Sequence, residues 1–293
     1  MRQNNSVCSF DSSDSWVVLS PIEQSIKRKI EAIGTPLKDW DIQINYGIKT
    51  GYNEAFIIST DKRNEILADC STEDERSRTE ELIRPILRGR DIKRYSYEWA
   101  NLYLIATFPS RHYDIEQYPA VKNYLLSFGM ERLEQTGETH IVNGEIIKAR
   151  KLTNNKWFET QDSISYLDLF IQPKLLYSEI VREPQFYYDS EGVFFPEATT
   201  FIISGNHLQY LYHFFNSEIV TYFFKRFYAG GGLGNDGFRY KKAFFDKLPV
   251  PLPNAQSEQM INNVVEKDVE KQIMNLYRLS DSEIHFILSQ CVQ

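Results

Sequence analysis

The sequence predicts a mixed α/β fold, an α+β arrangement in which strands and helices are interleaved along the chain. Short apolar runs of strand character, such as LYLIATF, recur between longer segments whose apolar residues repeat at helical spacing. No repeat of fixed period is present, which argues against solenoids and propellers. At 293 residues, 42% of them hydrophobic, the chain can bury a substantial core as one large domain or two ordinary ones.

The N-terminal part predicts a strand, a helix and a β-hairpin. WVVLS has strand character, and residues 21–33 are typical of a helix that begins at a proline and stops before Gly34. DWDIQINYGI alternates apolar and polar residues, and AFIIS resumes strand character after the glycine-flanked segment GIKTGYN. This segment is therefore predicted to be a hairpin tip.

The middle of the chain predicts further helices and a buried strand. STEDERSRTEELIRPIL has helical character, with Ser71 or Thr72 as its N-cap and Pro85 as its interruption. LYLIATF is typical of a buried strand, and AVKNYLLSFGMERLEQ of a helix. Residues 136–153 are polar and are expected to form an exposed excursion.

The C-terminal half predicts strands followed by helices. FIQPKLLYSEI and FYYDSEGVFFPEATTFIIS indicate strands around a turn at DSEG, and HLQYLYHFFNSEIVTYFFKRF indicates one long aromatic helix. The glycine-rich loop YAGGGLGNDGFRY and the extended piece KLPVPLP precede a helix over about 257–279 and a short one near the end. We expect the aromatic stripe of the long helix to pack in the core: Tyr210, Phe214, Phe215, Tyr222, Phe223 and Phe227.

Composition narrows the class of protein. No stretch of eighteen apolar residues and no apolar leader occurs, so the sequence predicts a cytoplasmic protein that does not contact a membrane. Cys8, Cys70 and Cys291 are widely separated and give neither a disulfide framework nor a CxxC pair. Five scattered histidines and the lack of HExxH, GxSxG and P-loop motifs leave no candidate catalytic or metal-binding residue.

Charge is distributed unevenly along the chain. The net charge of -7 argues against a uniformly basic nucleic-acid binder. Residues 76–98 are nevertheless locally positive, and RPILRGRDIKRY, SRHY and RYKK are three basic segments flanked by aromatic residues. Arginine matches phosphate oxygens and the guanine edge, so these segments suit nucleic acid. A solvated face with internal salt bridges explains the main cluster equally well by composition.

A family resemblance emerges from the order of several motifs. GIKTGYNEAF, ELIRPILRGRDIKRY, LYLIAT, NNKWFE, QPKLLYSEI, LYHFFNSEIVTYFF and GFRYKKAFFDKLPVPLP together resemble the TaqI-like C-terminal specificity domain. That family forms the target-recognition part of type II restriction-modification enzymes, including fused methyltransferase-nucleases of the Eco57I kind. The resemblance implies a target-recognition domain with a twisted mixed or antiparallel sheet and packed helices, followed by a C-terminal helical segment.

The resemblance implies sequence-specific recognition of double-stranded DNA without catalysis by this chain. The glycine-flanked turn and the basic loops then become candidate DNA contacts, although a turn that only organises the sheet remains an alternative. The candidate DNA-binding residues are Lys49, Thr50, Tyr52, Asn53, Arg84, Arg88, Arg90, Lys93, Arg94, Arg111, Asn235, Arg239, Lys241 and Lys242.

The resemblance also implies partners that the chain lacks. Neither a glycine-rich S-adenosylmethionine loop nor an [N/D]PP[Y/F] motif is present, so a methyltransferase domain or subunit, adenine-specific in the parent enzyme and with or without endonuclease, is expected to bind that cofactor. We expect a tail and linker helix over 1–40, the recognition domain over 41–253 and a helical segment over 254–293. The segment DSWVVLSPIEQSIKRKIEAIGTPL resembles the linker that joins a methyltransferase to a specificity domain, and this resemblance favours a fragment of a longer enzyme. Two alternatives remain: a small methyltransferase or nuclease with unrecognised motifs, and a protein-interaction module.

Overall fold

The computed structural model describes residues 19–229 and 237–291. Helices dominate both ends of this part of the chain. In chain order they are α1 (Pro21–Ile33), α2 (Asn53–Phe56), α3 (Thr60–Ala68), α4 (Glu73–Leu82), α5 (Pro119–Leu126), α6 (Met130–Leu133), α7 (Leu208–Phe215), α8 (Glu218–Phe223), α9 (Lys242–Phe245), α10 (Ala255–Asn262), α11 (Glu266–Leu276) and α12 (Asp281–Cys291).

The strands are short and lie mainly in the middle of the chain. They are β1 (Thr35–Pro36), β2 (Ile42–Tyr46), β3 (Ile57–Ser59), β4 (Ile83–Leu87), β5 (Ile92–Lys93), β6 (Ser96–Tyr97), β7 (Leu102–Ile105), β8 (Thr139–Val142), β9 (Glu145–Lys148), β10 (Lys174–Ser178), β11 (Ile180–Val181), β12 (Phe186–Asp189), β13 (Phe195–Pro196), β14 (Thr200–Gly205), β15 (Phe238–Arg239) and β16 (Pro249–Val250).

Two four-stranded sheets organise the molecule. The first, here called the central sheet, has the order β12-β10-β14-β2 and is antiparallel throughout. The second, here called the outer sheet, has the order β13-β4-β7-β3 and combines one parallel pair, β13 with β4, with antiparallel pairs. The expected mixed α/β class, with a mixed or antiparallel sheet, packed helices and a C-terminal helical segment, is confirmed.

The central sheet separates two hydrophobic cores. Leu175 and Tyr177 on β10 face one core, together with α1, α7, α8 and the C-terminal helices. Leu176, between them in sequence, faces the other core with the outer sheet and α3 to α5. Successive strand residues point to opposite faces, so a strand buried on both faces needs a continuous apolar run. This explains the LLY run of β10.

Local sequence signals fix several helix ends. Ser20 and Glu23 form a capping box at the start of α1, in which the Ser20 hydroxyl accepts from the Glu23 backbone and the Glu23 carboxylate accepts from the Ser20 N–H. Thr72 caps α4 by accepting from the Glu75 N–H at 3.1 Å. The helices predicted over 21–33 and after Ser71 or Thr72 are therefore confirmed. The predicted WVVLS strand lies mostly outside the described residues.

The predicted hairpin at GIKTGYN is wrong. Strand β2 pairs with β14 in the central sheet, whereas β3 pairs with β7 in the outer sheet. The segment between them is therefore a crossover that passes from one sheet to the other. Pro85 also lies within β4, opposite Tyr103, because α4 has already ended at Leu82.

Long predicted helices are divided into shorter ones. Gly129, with a φ of 85°, separates α5 from α6, and Asn216 and Ser217 separate α7 from α8. The helix expected over 257–279 is divided between α10 and α11. Most of the aromatic stripe of α7 and α8 is buried in the first core, as predicted. The excursion over 136–153 contains the exposed hairpin of β8 and β9.

A buried ion pair lies at one end of the central sheet. The Lys174 ammonium donates to Asp189 at 2.6 Å and to the Phe170 carbonyl at 2.7 Å, with the lysine fully buried. Asp189 also accepts from the backbone N–H groups of Val193 and Phe194. Burial lowers the pKa of Lys174, and the adjacent carboxylate opposes this shift.

None of the helices within residues 19–229 and 237–291 combines the length and apolar content that crossing a bilayer requires. The division into segments 1–40, 41–253 and 254–293 stays a prediction. Helix α1 and the C-terminal helices share one hydrophobic core with the central sheet.

Candidate nucleic-acid interface

A short turn joins the outer sheet to the central sheet. Residues 197–199 connect β13 of the outer sheet to β14 of the central sheet. The buried Glu197 carboxylate fixes this turn, since it accepts from the Thr199 backbone N–H at 2.9 Å and from the Thr199 hydroxyl at 2.6 Å. Each end of the turn is also held within a sheet, so its backbone is well supported.

Three other chain segments converge on this turn. The Gly47 N–H donates to the Thr200 carbonyl at 2.8 Å, and the Gly89 N–H donates to the Thr199 hydroxyl at 3.1 Å. Ser178, at the end of β10, pairs with Thr200. We call the surface formed by residues 46–49, 88–91, 178–182 and 197–199 the turn edge.

Two glycines allow the backbones of the turn edge to meet. A Cβ atom on Gly47 would lie 2.1 Å from the Glu197 carbonyl oxygen. A Cβ atom on Gly89 would lie 2.8 Å from the Thr199 carbonyl oxygen. Any larger residue would therefore force the loops apart. These two positions explain the glycines of the GIKTGYN and RGRD segments.

The turn edge presents positive charge to solvent. Arg90 is exposed, and its side chain has no hydrogen-bond, ion-pair or ring partner among the described residues. Arg182, which directly follows β11, is exposed and equally unpaired within the described part of the chain. Lys49 lies 3.7 Å from Asp162, and Arg239, opposite Ile180 in the β11-β15 pair, lies 3.7 Å from Glu179.

Arg182 was missed by the sequence reasoning. It lies in the segment SEIVREP, outside the three basic segments, and no motif distinguishes it there. Its position becomes informative only because β11 extends from the end of β10, where Ser178 pairs with Thr200. Exposed Tyr46 and Ile180 add apolar surface to the same edge.

Arg88 is committed to an internal contact. Its guanidinium donates to both oxygens of Asp91, at 2.9 and 2.7 Å, and Asp91 is buried. The hydrogen bonds that Arg88 donates to Asp91 raise the pKa of Arg88, although burial opposes this shift. The pair closes the turn that presents Arg90 outward. Arg88 thus stabilises the turn edge through an internal ion pair.

Arg94 joins the basic segment to the helices of the other core. It donates to the Asn216 carbonyl at 2.9 Å and to Glu218 at 2.8 Å, and it lies 3.6 Å from Glu270. Neighbouring Lys93 donates to the Arg90 carbonyl at 3.2 Å and lies 3.4 Å from Glu98. Both side chains are occupied by partners that belong to this chain.

The crossover after Gly47 is held by its own polar side chains. Thr50 is buried, and its hydroxyl donates to Asn53 at 2.6 Å and accepts from the Tyr52 N–H at 3.1 Å. Tyr52 is half-buried and donates to Glu54 at 3.0 Å. Lys49 and Asn53 are exposed, so they are the side chains of this loop that face solvent most fully.

The buried Arg150 side chain holds this crossover in place through hydrogen bonds to backbone carbonyls. Its buried guanidinium donates to the Thr50 carbonyl at 3.0 Å, to the Leu133 carbonyl at 2.8 Å and to the Glu159 carbonyl at 2.7 Å. It also donates to the Trp157 carbonyl. Burial lowers the pKa of Arg150 to about 10, so the side chain stays charged at neutral pH. One cation therefore connects the crossover to two other backbone segments through four carbonyl groups.

The remaining candidates are dispersed. Arg111 pairs with Asp168, and Lys242 pairs with Asp246 at 2.8 Å. Lys241 lies over the Phe244 ring, 5.6 Å from its centroid. Arg84 lies at the other end of β4 from the turn edge, and Asn235 lies outside the described residues. The structure thus groups Lys49, Arg90 and Arg239 with the newly found Arg182.

The described residues contain no group of three or more His, Cys, Asp or Glu side chains arranged to hold a metal ion. The chemistry that the turn edge offers is donation from guanidinium and ammonium groups beside aromatic and apolar surface. Such groups bind phosphate oxygens and base edges.

Two solved structures share this fold. The type IIL restriction-modification enzyme MmeI in complex with DNA matches with a TM-score of 0.55 and 12% identity, covering 88% of this chain and 36% of that one. The type IIG restriction endonuclease BpuSI matches with a TM-score of 0.52 and 12% identity, covering 92% of this chain and 32% of that one. This chain therefore spans about a third of the length of either enzyme. No curated protein matches the sequence.

The family comparison is more direct. The model of the TaqI-like C-terminal specificity domain matches residues 84–250. This range begins with β4, contains the 88–91 turn and the turn between β13 and β14, and ends with β16. It covers more than half of the chain, and so the chain belongs to the TaqI-like C-terminal specificity domain family.

Proposed function

We propose that this chain is the DNA target-recognition part of a type II restriction-modification enzyme and that it contacts duplex DNA through the turn edge. One observation carries the proposal: in a member of a specificity-domain family, exposed Arg90 projects from a turn whose other arginine is already neutralised by Asp91. The proposal assigns binding and discrimination to this chain, without a catalytic step.

The arrangement of charge suits a DNA partner. Phosphate contacts supply most of the sequence-independent affinity, while contacts to base edges supply specificity. Arg90 and Arg182 each offer a planar fork of donors, which fits a phosphate or the O6 and N7 atoms of guanine. The net charge of -7 does not oppose this role, because only the contacting face has to be positive.

The proposal includes a larger enzyme. The chain spans 36% and 32% of the two enzymes that share its fold, which leaves room for catalytic parts elsewhere. We propose that a methyltransferase domain or subunit, adenine-specific and with or without an endonuclease, binds S-adenosylmethionine and acts beside this chain on DNA in the cytoplasm. Calorimetry of this chain with S-adenosylmethionine is expected to show no binding. Micromolar binding would contradict the assignment of the cofactor to a separate methyltransferase domain or subunit.

The test of DNA recognition is fluorescence anisotropy with duplexes of random and defined sequence, titrated over a range of salt. We expect the logarithm of the affinity to fall linearly with the logarithm of salt concentration. Arg90→Ala is expected to cost about 1–3 kcal/mol of binding free energy. A loss confined to certain duplexes identifies a base contact, whereas an equal loss on all duplexes identifies a phosphate contact.

Arg28→Ala is the matched control. Arg28 is an exposed arginine on α1, and its Nε donates to the Gln24 carbonyl within the same helix. Its removal changes the net charge by the same amount as Arg90→Ala but leaves the turn edge intact. Equal effects of the two substitutions would show that net charge, and not the turn edge, governs binding.

A further inference from the structure

A cavity of about 460 Å³ lies at the start of β4, at the opposite end of that strand from the turn edge. It is formed where α4 ends and β4 begins, against the segment that follows β7. Its lining residues are Arg78, Glu81, Leu82, Arg84, Tyr113 and Tyr118. A cavity of this size falls within the range of small-ligand pockets.

Arg84 brings an uncompensated charge to this cavity. Its Nε is buried and has no hydrogen-bond partner in the described part of the chain. Its guanidinium lies over the Phe195 ring, 5.3 Å from the centroid, and no described carboxylate pairs with it. A buried donor without a partner costs free energy, so such a group indicates a missing ligand or ion.

Arg78 adds a second guanidinium to the same cavity. It pairs with Asp74 and donates to the Gln117 carbonyl at 3.2 Å, but its Nε is buried and unpartnered among the described residues. The guanidinium also lies over the Tyr118 ring. Arg78 therefore adds its charge beside Arg84 in the lining of the cavity.

Two tyrosines supply neutral donors. The hydroxyls of Tyr113 and Tyr118 have no hydrogen-bond partner within residues 19–229 and 237–291. Burial raises the pKa of both, so both stay protonated at neutral pH and can donate. Their rings are in edge contact, which fixes their orientation. Glu81 is the acidic residue of the lining and opposes negative charge there.

We propose that this cavity binds one phosphate-type oxyanion, with Arg84 as its principal ligand and Arg78 and Tyr113 as further donors. Charge-assisted hydrogen bonds from guanidinium groups to phosphate are strong, and the described chain satisfies only part of the donors in this cavity. The site is separate from the turn edge: Arg84 and Arg88 are four residues apart along an extended strand, or roughly 13 Å.

The oxyanion has two sources with the same chemistry, free phosphate or a DNA phosphate. The proposal does not depend on DNA contact at the turn edge, because a titration with inorganic phosphate tests it alone. Calorimetric titration of inorganic phosphate into the chain, at ionic strength held constant with chloride, is expected to give saturable binding. Arg84→Gln should weaken the affinity about tenfold or more, as loss of a charge-assisted contact requires.

Three further variants serve as controls for this test. Glu81→Gln removes a repelling carboxylate and is expected to tighten phosphate binding, an effect that a damaged fold does not produce. Tyr113→Phe removes a hydroxyl alone and should weaken binding about threefold. Arg28→Ala, which removes an exposed arginine on α1, should leave phosphate affinity unchanged. Absence of saturable binding in the wild-type chain, or equal affinity in the wild-type and Arg84→Gln chains, overturns the proposal.

DNA anisotropy then identifies the source. If Arg84→Gln weakens both phosphate and DNA binding, and phosphate competes with DNA, the pocket holds a DNA phosphate. If it weakens phosphate binding alone, the pocket holds a free ion. Both results support an oxyanion site. Unchanged phosphate binding in Arg84→Gln overturns the proposed oxyanion site, even if the turn edge binds DNA.

Discussion

The interior and the turn edge use basic residues in opposite ways. Inside, Lys174 and Arg150 are surrounded by carbonyl and carboxylate oxygens that belong to the chain. At the turn edge, Arg90 and Arg182 have no such partner in the described residues. The interior cations therefore hold the fold together, whereas the edge cations keep their donors available for an external partner.

Local density of positive charge does not distinguish the two uses. Arg88, Arg90 and Arg94 lie within seven residues, yet Arg88 and Arg94 are tied to Asp91 and Glu218, and Arg90 is not. What separates them is the presence of a carboxylate within reach. Substitutions in the two regions should consequently divide into effects on stability and effects on binding.

The largest effect is expected at the buried ion pair. Lys174→Met leaves Asp189 charged and buried, and breaking such a pair costs about 3–5 kcal/mol of unfolding free energy. Urea denaturation measures this loss. The double variant Lys174→Met with Asp189→Leu should recover part of it, since no unpaired charge remains. If Lys174→Met is as stable as the wild type, the buried ion pair does not hold the fold together, and the contrast with the turn edge fails.

The second largest effect is expected for Arg150→Met. This variant should lose about 3 kcal/mol of unfolding free energy, because several carbonyl oxygens lose a charged donor at once. Thr50 and the crossover after Gly47 would lose their anchor, so amide hydrogen exchange should accelerate at residues 49–53. Arg132→Met provides the control, since Arg132 contacts the same crossover through the side chain of Tyr52, with its guanidinium 4.8 Å from the ring centroid, and donates to the Lys148 carbonyl. Equal acceleration in both variants would remove the special role of Arg150.

The smallest effect on stability is expected at Arg182. Its side chain supports nothing in the described structure, so Arg182→Ala should change unfolding free energy by less than about 0.5 kcal/mol. The DNA affinity should fall, and the slope of its salt dependence should decrease by about one ion if Arg182 holds a phosphate. An unchanged affinity would exclude Arg182 from the interface and narrow the turn edge to the 46–49, 88–91 and 197–199 segments.

The sequence predicted those features that depend on neighbouring residues. Pro21, and Thr72 before an acidic first turn, identify helix starts because each signal lies at or next to the first residue of its helix. The helix breaks at Gly129 and at Asn216 were missed, since helical spacing of apolar residues continues across both. The family resemblance rested on motif order and was confirmed.

Features that depend on distant partners escaped the sequence. The pairing of β2 with β14 and of β3 with β7 joins residues far apart, so a glycine-flanked turn between two strands gave a hairpin that does not exist. Arg94 finds its partners 122 and 124 positions away. Arg150 meets carbonyl oxygens, which every residue has, and therefore leaves no signal in the sequence. Asp91, by contrast, lies three residues after Arg88 and was a readable hint that this arginine is occupied.

The lack of internal partners at positions 90 and 182 has a consequence for evolution. A residue that contributes nothing to folding can be replaced at little thermodynamic cost, whereas Gly47 and Gly89 beneath it cannot change without separating the loops. The chain thus combines a backbone platform that tolerates little change with exposed side chains that can be replaced without loss of the fold.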